Sequence, residues 1–227
     1  MESREFKDAI YEQFARIGSA FGSPKRIEIV DVLAQGEHSV EAIARATSMS
    51  VANTSRHLQV LRQNGLVVSR REGLFTVYRL ADESVSKGYR VLRDLAEQRI
   101  SDVRQLATAF FHDVDGATPL EFDELLSRSE NGDVVLIDVR PRVEFATGHL
   151  PGALNIPLEE IASHFGQFNS NTTIVAYCRG PYCVLAAEAV TLLRSAGFNA
   201  QRVRVDPREW LEEHDTHSSR TRPASYP

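Results

Sequence analysis

The first third of the chain repeats its apolar residues with a helical period. Phe6, Ile10, Phe14, Ile17 and Phe21 fall on one face and predict a helix over Phe6–Ala20. Ser23-Pro24 opens a second helix carrying Ile27, Val30, Leu33 and Ala34, which ends near Gln35-Gly36. Ser39 caps a third, Val40–Ala46, with Ile43 inward, and a polar turn, Thr47-Ser48-Met49, leads to Ser50. A fourth helix runs from Val51 to Asn64 and stops at Gly65, with Val51, Leu58 and Leu61 as its expected buried stripe. The period then drops to two: Leu66–Leu80 predicts a hairpin around Glu72-Gly73, with Arg70 and Arg71 at its tip. A long last helix is expected from Val85 to Phe111. Its Tyr89, Leu92, Leu95, Ala96, Val103 and Leu106 require a partner to cover them.

Beyond Asp113–Pro119 the texture changes. A helix is expected over Pro119–Ser127, and short apolar runs at Val134–Val139, Ile174–Tyr177 and Gln201–Val205 alternate with helical stretches such as Val184–Ala196, closed by Gly197. That pattern predicts an α/β domain on a parallel sheet. The chain is therefore read as multidomain: a mainly α domain over 1–112, a linker over 113–118, an α/β domain over 119–213 and a flexible tail over 214–227.

Charge separates the halves further. The net charge of −5 argues against a nucleic-acid partner, but residues 1–112 hold 16 Lys and Arg against 14 Asp and Glu, whereas residues 113–227 hold 10 against 17. A mildly basic front and an acidic back suggest different jobs. Two cysteines, five positions apart, make no disulfide framework and fit a reducing compartment. No apolar run is long enough for a membrane span and the charged N-terminus is unlike a signal peptide, so no membrane association and a cytoplasmic location are expected.

The fourth helix carries hydrogen-bonding side chains at Ser50, Asn53, Thr54, Ser55, Arg56, His57 and Gln59. Polar groups near a helix N-terminus suit base edges in a major groove, and the Arg70–Arg71 hairpin suits the phosphate backbone or minor groove. Ser23-Pro-Lys-Arg-Ile-Glu-Ile-Val-Asp-Val-Leu33, Ser50-Val-Ala-Asn-Thr-Ser-Arg-His-Leu-Gln-Val-Leu61 and Gly65-Leu-Val resemble the ArsR/SmtB-type repressors over about Phe6–Phe111. The resemblance implies a winged helix-turn-helix homodimer, paired through its first and last helices, that binds double-stranded operator DNA until a signal releases it. Metal-sensing members place cysteines on the third helix; here there are none. Glu37, His38 and Glu41 are too few for a soft-metal site, and Asp102, His112 and Asp113 offer only a weak zinc alternative between subunits, so no metal is expected.

In the back half a predicted strand runs into Cys178-Arg-Gly-Pro-Tyr-Cys183 and then directly into a helix. Sites in α/β sheets lie at the carboxyl ends of strands, and a Gly-containing loop at a helix N-terminus turns its N–H groups toward an anion. Such a field is expected to lower the Cys178 thiol pKa, with Arg179 adding positive charge. Val135-Leu-Ile-Asp-Val-Arg140, Glu144-Phe145, Gly148-His-Leu-Pro-Gly-Ala-Leu-Asn-Ile-Pro157 and this loop resemble a rhodanese domain over about Pro119–Trp210. The resemblance implies that Cys178 carries sulfane sulfur as a persulfide. It further implies that the loop amides from Arg179 to Cys183, a stretch that includes Gly180, Pro181 and Tyr182, cradle the terminal sulfur, with Asp138 and Arg140 in support beneath. The loop is six residues long, which favours sulfur over phosphate or arsenate chemistry. Two departures are Cys183 at the sixth loop position, usually basic or hydroxylic, and Val205-Asp-Pro-Arg-Glu-Trp210, where a Gly-containing turn usually precedes the Trp.

Together these features predict a DNA-binding regulator that reads reactive sulfur, such as polysulfide or thiosulfate, at Cys178 and needs no cofactor. Cys183 is available to attack the persulfide. The alternatives are a sulfurtransferase tethered to a DNA-binding domain and, below it, an arsenic- or metal-responsive repressor with Cys178 and Cys183 as ligands.

Overall fold

In the computed structural model, residues 1–114, 125, 127–129, 133–169 and 172–219 are described, the last five by their backbone only. The chain forms two compact units, Met1–Arg99 and Ile100–Pro227. Among the described residues no helix is long and apolar enough to cross a membrane.

The first unit is helical with a small antiparallel sheet. It contains α1 (Ser3–Phe21), α2 (Pro24–Ala34), β1 (His38–Ser39), α3 (Val40–Ala46), α4 (Val51–Gln63), β2 (Val67–Glu72), β3 (Phe75–Leu80) and α5 (Glu83–Arg99). Pro24 sits at the first turn of α2, and the Ser39 and Ser50 hydroxyls accept from the amides of Ala42 and Asn53, capping α3 and α4. The core joins Ile29, Val30 and Leu33 of α2 to Ile43, Leu58, Leu61, Val67 and Leu80. The hairpin turns at Gly73-Leu74, one residue later than expected, with Glu72 opposite Phe75 and Gly73 in the left-handed region at φ +61°. The strand order is β1-β3-β2, which is the wing. The short strand β1 was not predicted; two residues carry too little pattern to be recognised.

Two expectations about helices need correction. The inward stripe of α4 is Thr54, Leu58 and Leu61, while Val51 is exposed. Thr54 holds its buried hydroxyl by donating to the Ser50 carbonyl at 3.0 Å, which lets a polar residue take the place expected for Val51. The long helix expected over Val85–Phe111 is two: Ile100 is extended (φ −112°, ψ 104°) and separates α5 from α6 (Ser101–Phe111). No Gly or Pro marks the break, so periodicity could not find it.

The second unit takes in α6 and a four-stranded parallel sheet, β5-β4-β6-β7, made of β4 (Val134–Asp138), β5 (Leu154–Asn155), β6 (Thr173–Tyr177) and β7 (Ala200–Arg202). Around it lie α7 (Arg142–Thr147), α8 (Ile161–His164), α9 (Leu185–Ser195) and α10 (Pro207–Ser219). The sheet is buried on both faces. Ile137, Ile174, Ala176 and Cys178 face a cluster with Ala186, Val190 and Leu193 of α9, whereas Val134, Leu136, Val175 and Tyr177 face Leu125 and Leu150. Phe111 and Val114 belong to the Cys178 cluster, which ties the end of α6 to this unit. The chain from 214 to 219, expected as tail, continues α10. The expected linker 113–118 and helix Pro119–Ser127 fall mostly outside the described residues.

Candidate functional site

The wall of the second unit's site is set by register. Asp138 pairs with Tyr177 across β4 and β6, so both leave the sheet on the same face, and Arg140 follows two residues later. Asp138 and Arg140 are wholly buried and paired at 2.6 Å; Arg140 also donates to the Gly148 carbonyl at 2.8 Å. The Leu150 amide donates to the Tyr177 hydroxyl at 3.1 Å, and burial pushes that phenol above its ordinary range. Gly148 packs closely under α10: a Cβ there would lie 2.8 Å from the Leu211 methyl, which would have to move aside. A buried charge survives only if paired and hydrogen-bonded, and these contacts supply that condition.

Above this floor, Cys178 to Cys183 link β6 to α9. Cys178 is only 1 % exposed and Cys183 is half-buried, with exposed Tyr182 and Val184 on either side of it. Both cysteines are free. The Cys178 thiol donates toward the Cys183 carbonyl at 3.4 Å, and the two thiols lie near enough to influence each other's ionisation. Burial pushes the Cys178 thiol well up, although the amides of Ala186 and Arg179 point at it. The hydrogen bond from Cys178, aided by the Arg179 charge, pulls Cys183 down. The expected low pKa at Cys178 is thereby overturned: desolvation outweighs the amides, and the neighbouring, more open thiol takes the negative charge first.

Arg179 does not offer a free cation to the loop. It forms a two-pronged pair with the buried Glu144 of α7, at 2.9 and 2.6 Å. Gly180 takes φ +116°, and a Cβ there would stand 3.3 Å from the Asp206 Cβ. Asp206 in turn accepts from the amides of Arg208 and Glu209 and starts α10. The unusual Val205–Trp210 stretch thus forms a helix N-terminus under the loop. The Pro181 carbonyl accepts from Arg202 of β7 at 2.9 Å.

Glu144, Tyr177 and Asp206 are site residues that sequence reasoning missed as such, and Arg202, which braces the loop from β7 without touching either thiol, was missed with them. Arg202 did leave a signal: an arginine in a strand buried on both faces must have partners.

In the first unit Asn53, Arg56 and Gln59 are exposed on α4, Ser55 and His57 are half-buried, and Ser50 caps the helix. Thr54 is fully buried and faces inward, away from any groove. Burial, with Arg26 and Lys25 nearby, holds His57 below its ordinary pKa. On the wing, Arg70 and Arg71 stand opposite Val77 and Thr76 and point to opposite faces. Arg70 pairs with Glu37 and Glu72, whereas Arg71 donates weakly to the Gly73 carbonyl at 3.4 Å. Phe6, Tyr11, Phe14 and Ile17 of α1 and Val91, Leu92 and Leu95 of α5 are exposed. Among the described residues no group of three or more His, Cys, Asp and Glu side chains could hold a metal ion; the His112 and Asp113 side chains pair at 2.9 Å on the surface.

Comparison with known proteins agrees with this division. Residues 23–69 match the model of the bacterial regulatory protein arsR family, and residues 121–212 match that of the rhodanese-like domain. The HTH-type transcriptional regulator Rv0324 of Mycobacterium tuberculosis is 42% identical over 204 residues, covering 90% of this chain and 89% of that protein. A human thiosulfate:glutathione sulfurtransferase is 32% identical over 111 residues, 43% of this chain and 96% of that one. The homodimeric winged helix-turn-helix DNA-binding domain of a possible ArsR-family regulator from Mycobacterium bovis is similar over 45% of this chain and 93% of its own, at 40% identity and a TM-score of 0.41.

Proposed function

The chain belongs to the arsR family of bacterial regulatory proteins, with a rhodanese-like domain behind its DNA-binding winged helix, and on that premise we propose that it regulates transcription in response to reactive sulfur taken up at Cys178. The observation that carries this reading is the pair of free thiols, one buried and one half-buried, in a loop at the end of β6 whose Cys178 thiol donates to the Cys183 carbonyl.

The chemistry needs only these two thiols and a sulfane-sulfur donor. Cys183 ionises first and can accept the Cys178 proton. The resulting Cys178 thiolate attacks the sulfane sulfur of a persulfide or polysulfide; the donor's S–S bond breaks, its remainder leaves as a thiolate, and Cys178 becomes a persulfide. Cys183 passes the proton it took from Cys178 to the departing donor thiolate, and its own thiolate then attacks Cys178 Sγ; the Sγ–S bond breaks and hydrosulfide leaves. The two cysteines are oxidised by two electrons to a disulfide and the sulfane sulfur is reduced to sulfide. No outside oxidant is needed. Asp138, Arg140 and Tyr177 hold the floor, and Glu144 holds Arg179.

On the DNA side, Asn53, Arg56 and Gln59 offer groups to base edges from α4, with Arg71 on the wing for phosphate. Exposed Phe6, Tyr11, Phe14 and Ile17 on α1, with Leu92 and Leu95 on α5, favour a homodimer that covers them. The test titrates operator duplex with full-length protein before and after inorganic polysulfide, read beside intact mass. Addition of one sulfur atom, or loss of two hydrogens, should accompany loss of operator affinity, and Cys178→Ser should abolish both. An unchanged affinity with an unchanged mass rejects the reading.

The similarity to a thiosulfate:glutathione sulfurtransferase favours a second reading, catalytic sulfur transfer. Sustained turnover of thiosulfate with glutathione, lost in Cys178→Ser and without effect on operator affinity, would select it.

A further inference from the structure

One side chain joins the cysteine loop to the end of α6. Arg202 is only 6 % exposed. Its guanidinium carbon lies 3.5 Å from the centroid of the Phe111 ring, while Nη1 donates to the Pro181 carbonyl of the loop at 2.9 Å. Its backbone amide donates to the Val114 carbonyl at 3.3 Å. Arg194 of α9 reinforces the same end by donating to the carbonyls of Asp113 and Ala200. Phe111 and Val114 share the core cluster of Cys178 itself. All these contacts lie within the second unit, and Ile100 is the only residue between α6 and α5.

We propose that Arg202 is the positioning residue that passes the state of the Cys178–Cys183 pair to α6, and through it to the chain leaving the winged helix. This rests on the sulfur-reading assignment above. A disulfide requires Cβ atoms about 3.8 Å apart and a fixed torsion. In this proposal, closing it repositions the Pro181–Tyr182 peptide, which lies between the two cysteines. The guanidinium is planar and its donors have fixed directions, so it cannot follow a turning carbonyl and keep its place over the Phe111 ring. Either the loop bond or the ring contact gives way, and α6 is held differently in the two states. A shift in operator affinity requires that kind of differential contact.

Full-length protein is treated with sodium tetrasulfide and titrated with a duplex selected from a random pool by the reduced protein, with intact mass and hydrogen exchange of Ser101–Phe111 followed in parallel. Wild type should gain the sulfur or disulfide mass, lose about tenfold or more in affinity, and change its exchange across α6. Arg202→Gln should show the same mass change and the same affinity when reduced, yet lose less than about twofold on treatment, with α6 exchange unmoved by sulfur. Phe111→Leu, which keeps an apolar side chain but removes the ring, should uncouple likewise; it decides the matter if Arg202→Gln fails to fold. A wild-type-sized response in either folded variant overturns the proposal. If wild type itself takes up no sulfur or does not respond, the sensing assignment fails, and this coupling with it.

Discussion

The two units handle charge in opposite ways. The winged helix keeps Arg56 and Arg71 at its surface, on a helix and a hairpin whose opposite faces supply the core. The rhodanese-like unit places Asp138, Arg140 and Glu144 wholly inside and spends their charges on one another, on Arg179 and on loop carbonyls. One region recognises a charged partner from outside. The other fixes a small reactive loop from beneath. A surface charge is therefore a matter of affinity, and a buried one a matter of whether the site exists.

The largest expected effect comes from breaking the buried side of that contrast. Arg140→Ala strands the Asp138 carboxylate and should cost the second unit about 3–5 kcal/mol, seen as an early transition in urea that leaves the winged-helix transition unmoved. A loss under about 1 kcal/mol, the scale of an exposed pair, would contradict the burial. On the open side, Arg71→Ala should reduce operator affinity by about tenfold and lower the salt slope by about 1. Arg70→Ala should do less, because Glu37 and Glu72 already engage that guanidinium. Equal losses would place both arginines on phosphate.

The thiols offer a finer test. Since Cys183 is pulled down and Cys178 pushed up, iodoacetamide should label one thiol per chain below the ordinary thiol range, at Cys183 by peptide mapping. The reaction should strengthen as pH rises, as thiolate replaces thiol. Cys183→Ser should move labelling to higher pH; first labelling at Cys178 would reverse the assignment. The smallest effect is expected at Thr54. Thr54→Val loses one hydroxyl bond to the Ser50 carbonyl, worth about 1 kcal/mol of stability, and should leave operator affinity unchanged. A tenfold loss of affinity would return Thr54 to the DNA face.

The same contrast explains what could be read in advance. Capping serines, Pro24 and helical spacing located α2, α3 and α4 to within a residue, because those signals are local. The strands β4 and β6 and the loop between β6 and α9 were also legible, since a strand, a Gly-containing turn and a helix lie in succession. What escaped depends on distance in space. Nothing near residue 144 shows that it will meet Arg179, thirty-five positions away, and nothing near 202 shows a partner at 111. The Cys178 pKa was misjudged for the same reason: the helix terminus is visible in the sequence, but the depth of burial is not. Thr54 has the polarity of a surface donor, but its place on the inward row of α4 buries it.

The clamp between Arg179 and Glu144 makes the loop a one-ended lever. Its first residue after Cys178 is tethered by two charged hydrogen bonds to a carboxylate sealed from water, so strain introduced by new bonds at sulfur has little outlet on that side. Displacement would then fall on the far end, where Pro181 meets Arg202 and Cys183 is half-buried. Releasing the tether with Glu144→Gln should let the loop yield at both ends, so that the same sulfur chemistry does less work on α6.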